Sequence, residues 1–231
     1  MDYSSPIAIA VRRVGQQIGI LRPLTRMYRR LRRLDYEDAF NASLFANISE
    51  GDVIWDVGAN VGHYTARFAS AAGPAGKVLA FEPSSRNAQI LSKEMREYGN
   101  VRVETVALSD HSGWAAFYAD PSADSAVDGL VPASLNAVES KVRVCRGDEF
   151  LEQCPPSKIK IDVEGFEKEV LDGMRETLHS ATLKALFIEI HFQVLMQRGK
   201  ATAPTDIVQM LRAEGFSVKW ADPSHIIALR H

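Results

Sequence analysis

Cysteine is nearly missing from this chain: its 231 residues contain two, Cys145 and Cys154, and no CxxC pair. That excludes a disulfide framework, a cysteine-based structural zinc site and thioredoxin chemistry. Long apolar runs are also missing, and none approaches the roughly 18–20 residues a bilayer crossing needs. A secretory leader is not visible, because the apolar run from Ile7 to Val11 precedes the arginines rather than following them. Glycine (15) and proline (10) are too few for a collagen-like or low-complexity chain. What is present is ordinary: 46% apolar and 24% charged residues, enough for one large α/β domain. The expected compartment is a reducing cytoplasm.

A net charge of −2 hides an asymmetry. Eight arginines and one acid, Asp2, fall in the first 33 residues, which leaves that arm at +7 and the remainder at −9. An acidic body is a poor bulk binder of nucleic acid, and none is expected as a partner. The arm, residues 1–34, reads as two amphipathic helices broken at Pro23: Ile7, Val11, Val14, Ile18 and Leu21, then Leu24, Tyr28, Leu31 and Leu34, recur at steps of three and four. It is too short for a stable isolated coiled coil. Arginine without lysine favours forked contacts to carboxylate or phosphate. Packing on the body or on a second copy is the preferred expectation. Peripheral association with an anionic membrane is the second, and a lid over the site the third.

Residues 35–231 read as one domain. Asp35 to Ile48 fits a helix, and from Val53 strands alternate with helices. Strands are expected at Val53–Val57, Lys77–Phe81, Val101–Leu108, Ile159–Val163 and Leu183–Ile190, with a closing hairpin of Phe216–Trp220 and Ile226–Leu229. Helices are expected at Tyr64–Ala72, Ser84–Tyr98, Phe166–His179 and Thr205–Glu214. Two further strand-like pieces, Trp114–Tyr118 and Lys141–Cys145, flank a polar loop. Repeated β-α units predict a parallel sheet covered on both faces.

The sharpest local signal is Asp56-Val57-Gly58-Ala59-Asn60-Val61-Gly62, between the first strand and the first helix of the alternating region. Glycine there allows a tight turn, and ligands of open parallel sheets bind outside the carboxyl ends of the strands. Glu82 ends the next strand, where a carboxylate can accept hydrogen bonds from both hydroxyls of a ribose. The spacing is not the GxGxxG of a dinucleotide site. An acid beside the loop would repel a pyrophosphate but suit a cationic amine or sulfonium, which points to S-adenosylmethionine rather than a nicotinamide.

These blocks, with Phe81-Glu82-Pro83, Ala107-Leu108-Ser109-Asp110, Lys160-Ile161-Asp162-Val163-Glu164-Gly165 and Glu189-Ile190-His191 in order, resemble the FkbM family of S-adenosylmethionine-dependent methyltransferases over about residues 51–191. The resemblance implies a Rossmann-like class I methyltransferase fold, a seven-stranded mostly parallel α/β sheet with its last strand antiparallel. It also implies methyl transfer to a hydroxyl of a small acceptor, often a sugar or secondary metabolite. By the same resemblance Asp56, Gly58, Asn60 and Gly62 surround the methionine part of the cofactor, Glu82 holds the ribose, Pro83 and Ser84 border it, and Ala107 and Leu108 lie near adenine. A nicotinamide oxidoreductase and a non-catalytic module that keeps the fold are the alternatives.

Asp162 and Glu164 follow one apolar strand, and Glu189 and His191 follow the next. Residues two apart lie on one side of a strand, and adjacent strands lie about 4.8 Å apart, so the two pairs can converge on one cleft. A carboxylate at such a point also serves to cap the next helix. A neutral alcohol must lose its proton as its bond to the methyl carbon forms. His191 suits a general base, with Glu164 or Glu189 orienting it or the substrate. Equally, Asp162, Glu164 and His191 could hold Mg²⁺ or Mn²⁺. The sequence leaves base and metal open and assigns no metal ligand. His225, in the terminal hairpin, is placed where it could reach the cleft.

Overall fold

The computed structural model describes residues 2–5, 8–9, 40–119 and 138–230. The two helices expected in the arm, and most of the loop from Asp120 to Ser140, fall outside the described residues.

Chain order builds a repeated β-α pattern. Helical residues 40–46 lead into β1 (Val53–Val57), α1 (His63–Ala72), β2 (Lys77–Phe81), α2 (Ser85–Glu94), β3 (Val101–Glu104) and β4 (Ala107–Leu108). Strands β5 (Gly113–Ala119) and β6 (Val138–Cys145) follow, then β7 (Lys158–Ile161), α3 (Glu167–Asp172), α4 (Arg175–His179), β8 (Ala185–Glu189), α5 (Phe192–Gln197), α6 (Ala203–Ala213), β9 (Ser217–Trp220) and β10 (His225–Leu229). The main sheet has the order β3-β2-β1-β7-β8-β10-β9. Its pairings are parallel except those made by the last strand, β10, which runs antiparallel to both β8 and β9. A small second sheet, β4-β6-β5, covers one end.

Alternate residues of each central strand enter opposite cores, because successive side chains of a strand point to opposite faces. Trp55, Val57, Leu79, Ile159, Ile161 and Ile188 join one buried cluster; Ile54, Val78, Phe187 and Ile227 join the other, with Phe40 and Leu44 from the 40–46 helix and Phe68 from α1. A parallel sheet covered on both faces reads as near-continuous apolar runs, which is why these strands were visible in the sequence. Among the described residues, no helix is long and apolar enough to cross a membrane.

Four elements depart from the sequence reading. The single strand expected over Val101–Leu108 is two. The backbone turns where Val106 N donates to Glu104 O, and Ala107 and Leu108 pair with Val144 and Cys145 in the small sheet. No glycine or proline marks that break. The helix expected over Phe166–His179 is interrupted at Gly173 and Met174, where the chain passes so close to Ser109 that a Cβ on Gly173 would lie 1.8 Å from its carbonyl oxygen. The strand expected to reach Val163 stops at Ile161. Helix α5, after His191, was not expected.

Candidate active site

A cleft of about 270 Å³ opens at the carboxyl ends of β1, β2, β7 and β8, small beside typical ligand sites, which run to about 300–1,000 Å³. Gly58, Asn60, Glu82, Pro83, Ala107 and Leu108 line one half of it; Asp162, Glu164, Glu189 and His191 line the other. Asp56, Gly62 and Ser84 lie behind the lining. Asp56 is fully buried, accepts a hydrogen bond from Thr65 Oγ1 at 2.7 Å and lies 3.8 Å from the Lys160 ammonium. Gly62 caps α1 at its start, and Ser84 caps α2, its hydroxyl accepting from Asn87 N.

The first half is held by backbone. Gly58 N and Ala59 N both donate to Phe81 O, tying the glycine loop to the end of β2. Gly58 has φ +84, and a Cβ there would lie 1.8 Å from the Asp162 carbonyl oxygen, so its lack of a side chain serves the approach of two strand ends. Glu82 is buried, and its two carboxylate oxygens accept from Asn60 N and Ser84 N, each at 2.8 Å. These bonds fix the carboxylate at the cleft floor among Phe81, Val106, Leu108 and Phe117. A buried acid beside apolar walls fits the ribose and the adenine of S-adenosylmethionine.

The second half is held by side chains. His191 caps α5 at its start, and Nδ1 bonds Glu167 Oε1 at 2.7 Å. Its Nε2 faces Glu164 Oε2 at 3.4 Å, Asp162 Oδ1 at 3.7 Å and Glu189 Oε1 at 4.0 Å. Burial works against charge on the imidazole, but the Glu167 hydrogen bond and the charges of Glu167, Glu164 and Asp162 outweigh it. Together they push the pKa up to about 10. His191 is therefore an imidazolium at neutral pH, not the neutral ring expected of a histidine near 6.5. Burial pushes the Glu164 carboxyl up. Burial acts the same way on Asp162, but Lys160 and His191 together hold it below the usual range. Asp162 and Glu164 reach the cleft through a turn rather than along a strand, with Glu164 at φ +50.

Three participants escaped the sequence reading. Glu167 is fully buried, and the oxygen that meets His191 also accepts from Gly165 N at 2.9 Å. An acid in the first turn of a helix reads as a dipole partner, so no sequence signal separates it. Lys160 is buried with its ammonium 3.2 Å from Asp162 and 4.6 Å from the centre of the Tyr64 ring. Asp222 bonds His225 Nδ1 at 2.7 Å, and His225 Nε2 lies 3.5 Å from Glu189, its opposite number across the β8–β10 pair. His225 thus stands behind Glu189 rather than in the cleft lining, its ring stacked on Phe40 at 4.1 Å.

The strand order and the single antiparallel last strand, with a cleft at the strand ends, are those of a class I methyltransferase fold. The chain belongs to the methyltransferase FkbM domain family, whose model matches residues 56–218. It is a methyltransferase enzyme, its cleft chemistry fits S-adenosylmethionine as methyl donor, and the nicotinamide and non-catalytic readings are set aside. Hexuronic acid methyltransferase AglP of Haloferax volcanii is 31% identical over 198 residues, 82% of this chain and 79% of that protein. AMB antimetabolite synthetase AmbE of Pseudomonas aeruginosa is 28% identical over 206 residues, 72% of this chain but 10% of that much longer protein. A putative rRNA-methylase from Clostridium thermocellum shares the fold at a TM-score of 0.51 with 12% identity, covering 84% of this chain and 93% of that one.

Proposed function

We propose that the protein methylates an oxygen of a sugar-like acceptor, with hydroxyl groups of a uronic-acid-containing glycoside as the first candidates. The observation that carries this reading is the position of the His191 cluster. Four polar side chains, Asp162, Glu164, Glu189 and His191, line the same cleft as Glu82 and the apolar residues Val106, Ala107 and Leu108. Similarity to a hexuronic acid methyltransferase supports the sugar class.

When bound, S-adenosylmethionine supplies a methyl carbon on a sulfonium, an excellent leaving group that departs as the thioether. The chain has two tasks left. Alignment is the first: the loop at Gly58–Asn60 and the carboxylate of Glu82 hold the donor, while Glu164 and Glu189 accept hydrogen bonds from acceptor hydroxyls. Fixing two reactants in line supplies several kcal/mol of the barrier reduction. The second is the hydroxyl proton, which must leave as the new C–O bond forms and the C–S bond breaks. The proton passes to a cleft carboxylate, Glu164 first, whose pKa burial raises, while Glu167 holds the His191 ring in one orientation.

Transfer of label from S-[methyl-³H]adenosylmethionine to a panel of glycosides, with and without uronic acids, tests the reading. Labelled ether on a sugar oxygen, with S-adenosylhomocysteine formed in equal amount, is expected. Label confined to nitrogen or carbon of another acceptor class would overturn it. The basic arm, residues 1–34, is read as a separate unit that packs on the body or on a second copy.

A further inference from the structure

We propose that Asp162, Glu164 and His191 are the protein ligands of a divalent cation of the Mg²⁺ or Mn²⁺ class, seated on the acceptor side of the cleft. The proposal rests on the methyl-transfer reading and deepens it by stating how the acceptor oxygen is held.

Geometry comes first. One oxygen each from Asp162 and Glu164 and one nitrogen of His191 lie within 4.8 Å of one another. An octahedral ion bound at about 2.1 Å sets neighbouring ligand atoms roughly 3 Å apart. The separations from Nε2, 3.4 and 3.7 Å, need only a small contraction to reach that. Asp162 divides its oxygens: Oδ2 faces the Lys160 ammonium at 3.2 Å, while Oδ1 faces His191. Glu189 Oε1, 4.0 Å from the same nitrogen, is near enough to join directly or through water.

Glu167 is the independent observation. It is fully buried, its Oε2 has no hydrogen-bond partner, and it does not line the cleft, so it has no use in gripping an acceptor. Besides accepting from Gly165 N, its Oε1 holds Nδ1 of His191, which turns Nε2 toward Asp162 and Glu164. A carboxylate behind the far nitrogen of a metal-bound histidine has this function: it fixes the tautomer and raises the basicity of the ligand. Four carboxylates, Glu164, Glu167, Glu189 and Asp162, lie within 4.0 Å of the imidazole, with Lys160 on the far oxygen of Asp162 and His225 beside Glu189. Two carboxylates and one imidazole form a hard donor set suited to Mg²⁺ or Mn²⁺, and three protein ligands leave coordination positions open. Those positions suit an acceptor offering two adjacent oxygens, as a vicinal diol or a hydroxy-carboxylate does, and the ion would acidify the hydroxyl it holds.

The test is Mn²⁺ binding by the full chain, without cofactor or acceptor, followed by electron paramagnetic resonance, with Mg²⁺ as competitor. One Mn²⁺ per chain is expected, displaced by Mg²⁺. Glu164→Gln and His191→Ala should each weaken it tenfold or more, and Glu167→Gln by about 10–100-fold. Calorimetric binding of S-adenosylmethionine to each variant reports whether the fold is intact, because that ligand rests on Glu82. No saturable Mn²⁺ binding to the wild type at millimolar concentration would overturn the proposal, as would equal affinity in folded Glu164→Gln and His191→Ala. Mn²⁺ binding without transfer to any glycoside would support the site and sink the acceptor reading. Transfer that persists in chelator, with no Mn²⁺ bound, would sink the site and leave the acceptor reading standing.

Discussion

The two halves of the cleft are built from different parts of the chain. On the cofactor side, both oxygens of Glu82 are met by main-chain amides, from Asn60 and Ser84, and the surrounding walls are apolar. On the acceptor side, side chains meet side chains, and one imidazole stands within 4.0 Å of four carboxylates. Main-chain partners are fixed by the fold and are in place before any ligand arrives. The acceptor half gathers negative charge that is met by His191, by Lys160 on Asp162 and by His225 on Glu189. On the proposed reading, a site divided this way keeps its cofactor contacts in the fold, and its acceptor chemistry in a few exchangeable groups.

That contrast breaks if the halves cannot be perturbed separately. His191→Ala should carry the largest effect, lowering methyl transfer by about 10²–10⁴-fold, the range for a positioned proton-handling group. S-adenosylmethionine affinity, measured by calorimetry, should barely change. A rate within twofold of wild type would remove His191 from the reaction. Glu82→Ala should show the reverse pattern. Loss of charged hydrogen bonds to the ribose should weaken cofactor binding by about 1.5–3 kcal/mol. The same substitution leaves the amides of Asn60 and Ser84 without their carboxylate partner, so thermal stability should fall as well. Glu82→Gln, which keeps one acceptor oxygen, should recover part of both.

The same division decides what could be read from the sequence. The glycine loop and Glu82 were legible because a backbone-built site leaves a local signature of turn residues and a strand-end acid. Seven strands were legible because a sheet covered on both faces writes continuous apolar runs. The acceptor side was legible only in part. Asp162, Glu164, Glu189 and His191 were named, but the strand periodicity used for the first two stops at Ile161, one residue before Asp162. A left-handed turn at Glu164 brings the group to the cleft instead. Glu167 and Asp222 were not legible, since burial of an acid depends on which distant elements close over it. The division of Val101–Leu108 between two sheets left no mark, because Thr105 is as good a strand former as its neighbours.

A smaller effect tests how far the acceptor half extends. His225 stands behind Glu189, buried against its charge, yet the Asp222 hydrogen bond and Glu189 outweigh burial and push its pKa up to about 9. A group whose pKa rises on folding stabilises the protein fully below its unfolded value, about 6.5, and loses that contribution as pH rises through the folded value. The protein should therefore lose about 1 kcal/mol from this group between pH 6 and 7.5, and more up to pH 9. Denaturant titrations at pH 6, 7.5 and 9 should show a shallower decline in His225→Gln than in the wild type. Equal slopes would mean that His225 is not charged in the folded protein.

The smallest expected effect concerns the arm. Tyr3 meets the edge of Trp220 at 5.8 Å, and the Ser4 carbonyl accepts from Thr205 Oγ1 at 2.6 Å. Beyond the arm, Phe40 stacks on His225, and Asn41 accepts from the hydroxyl of Tyr64, whose ring lies beside Lys160. The chain therefore touches the body near its start, and where it returns it contacts two residues that support the acceptor half. None of these contacts reaches Glu82 or the glycine loop. Deleting residues 1–34 removes the first pair of contacts and leaves Phe40 and Asn41, so S-adenosylmethionine affinity should stay within about twofold of wild type, well under 1 kcal/mol. Acceptor turnover, self-association or binding to anionic vesicles should change instead. Vesicle binding that collapses with added salt would move the arm from the body to a membrane surface. A tenfold loss of cofactor affinity would show that the two halves share a support in the arm, and the division between them would fail where it is expected to be cleanest.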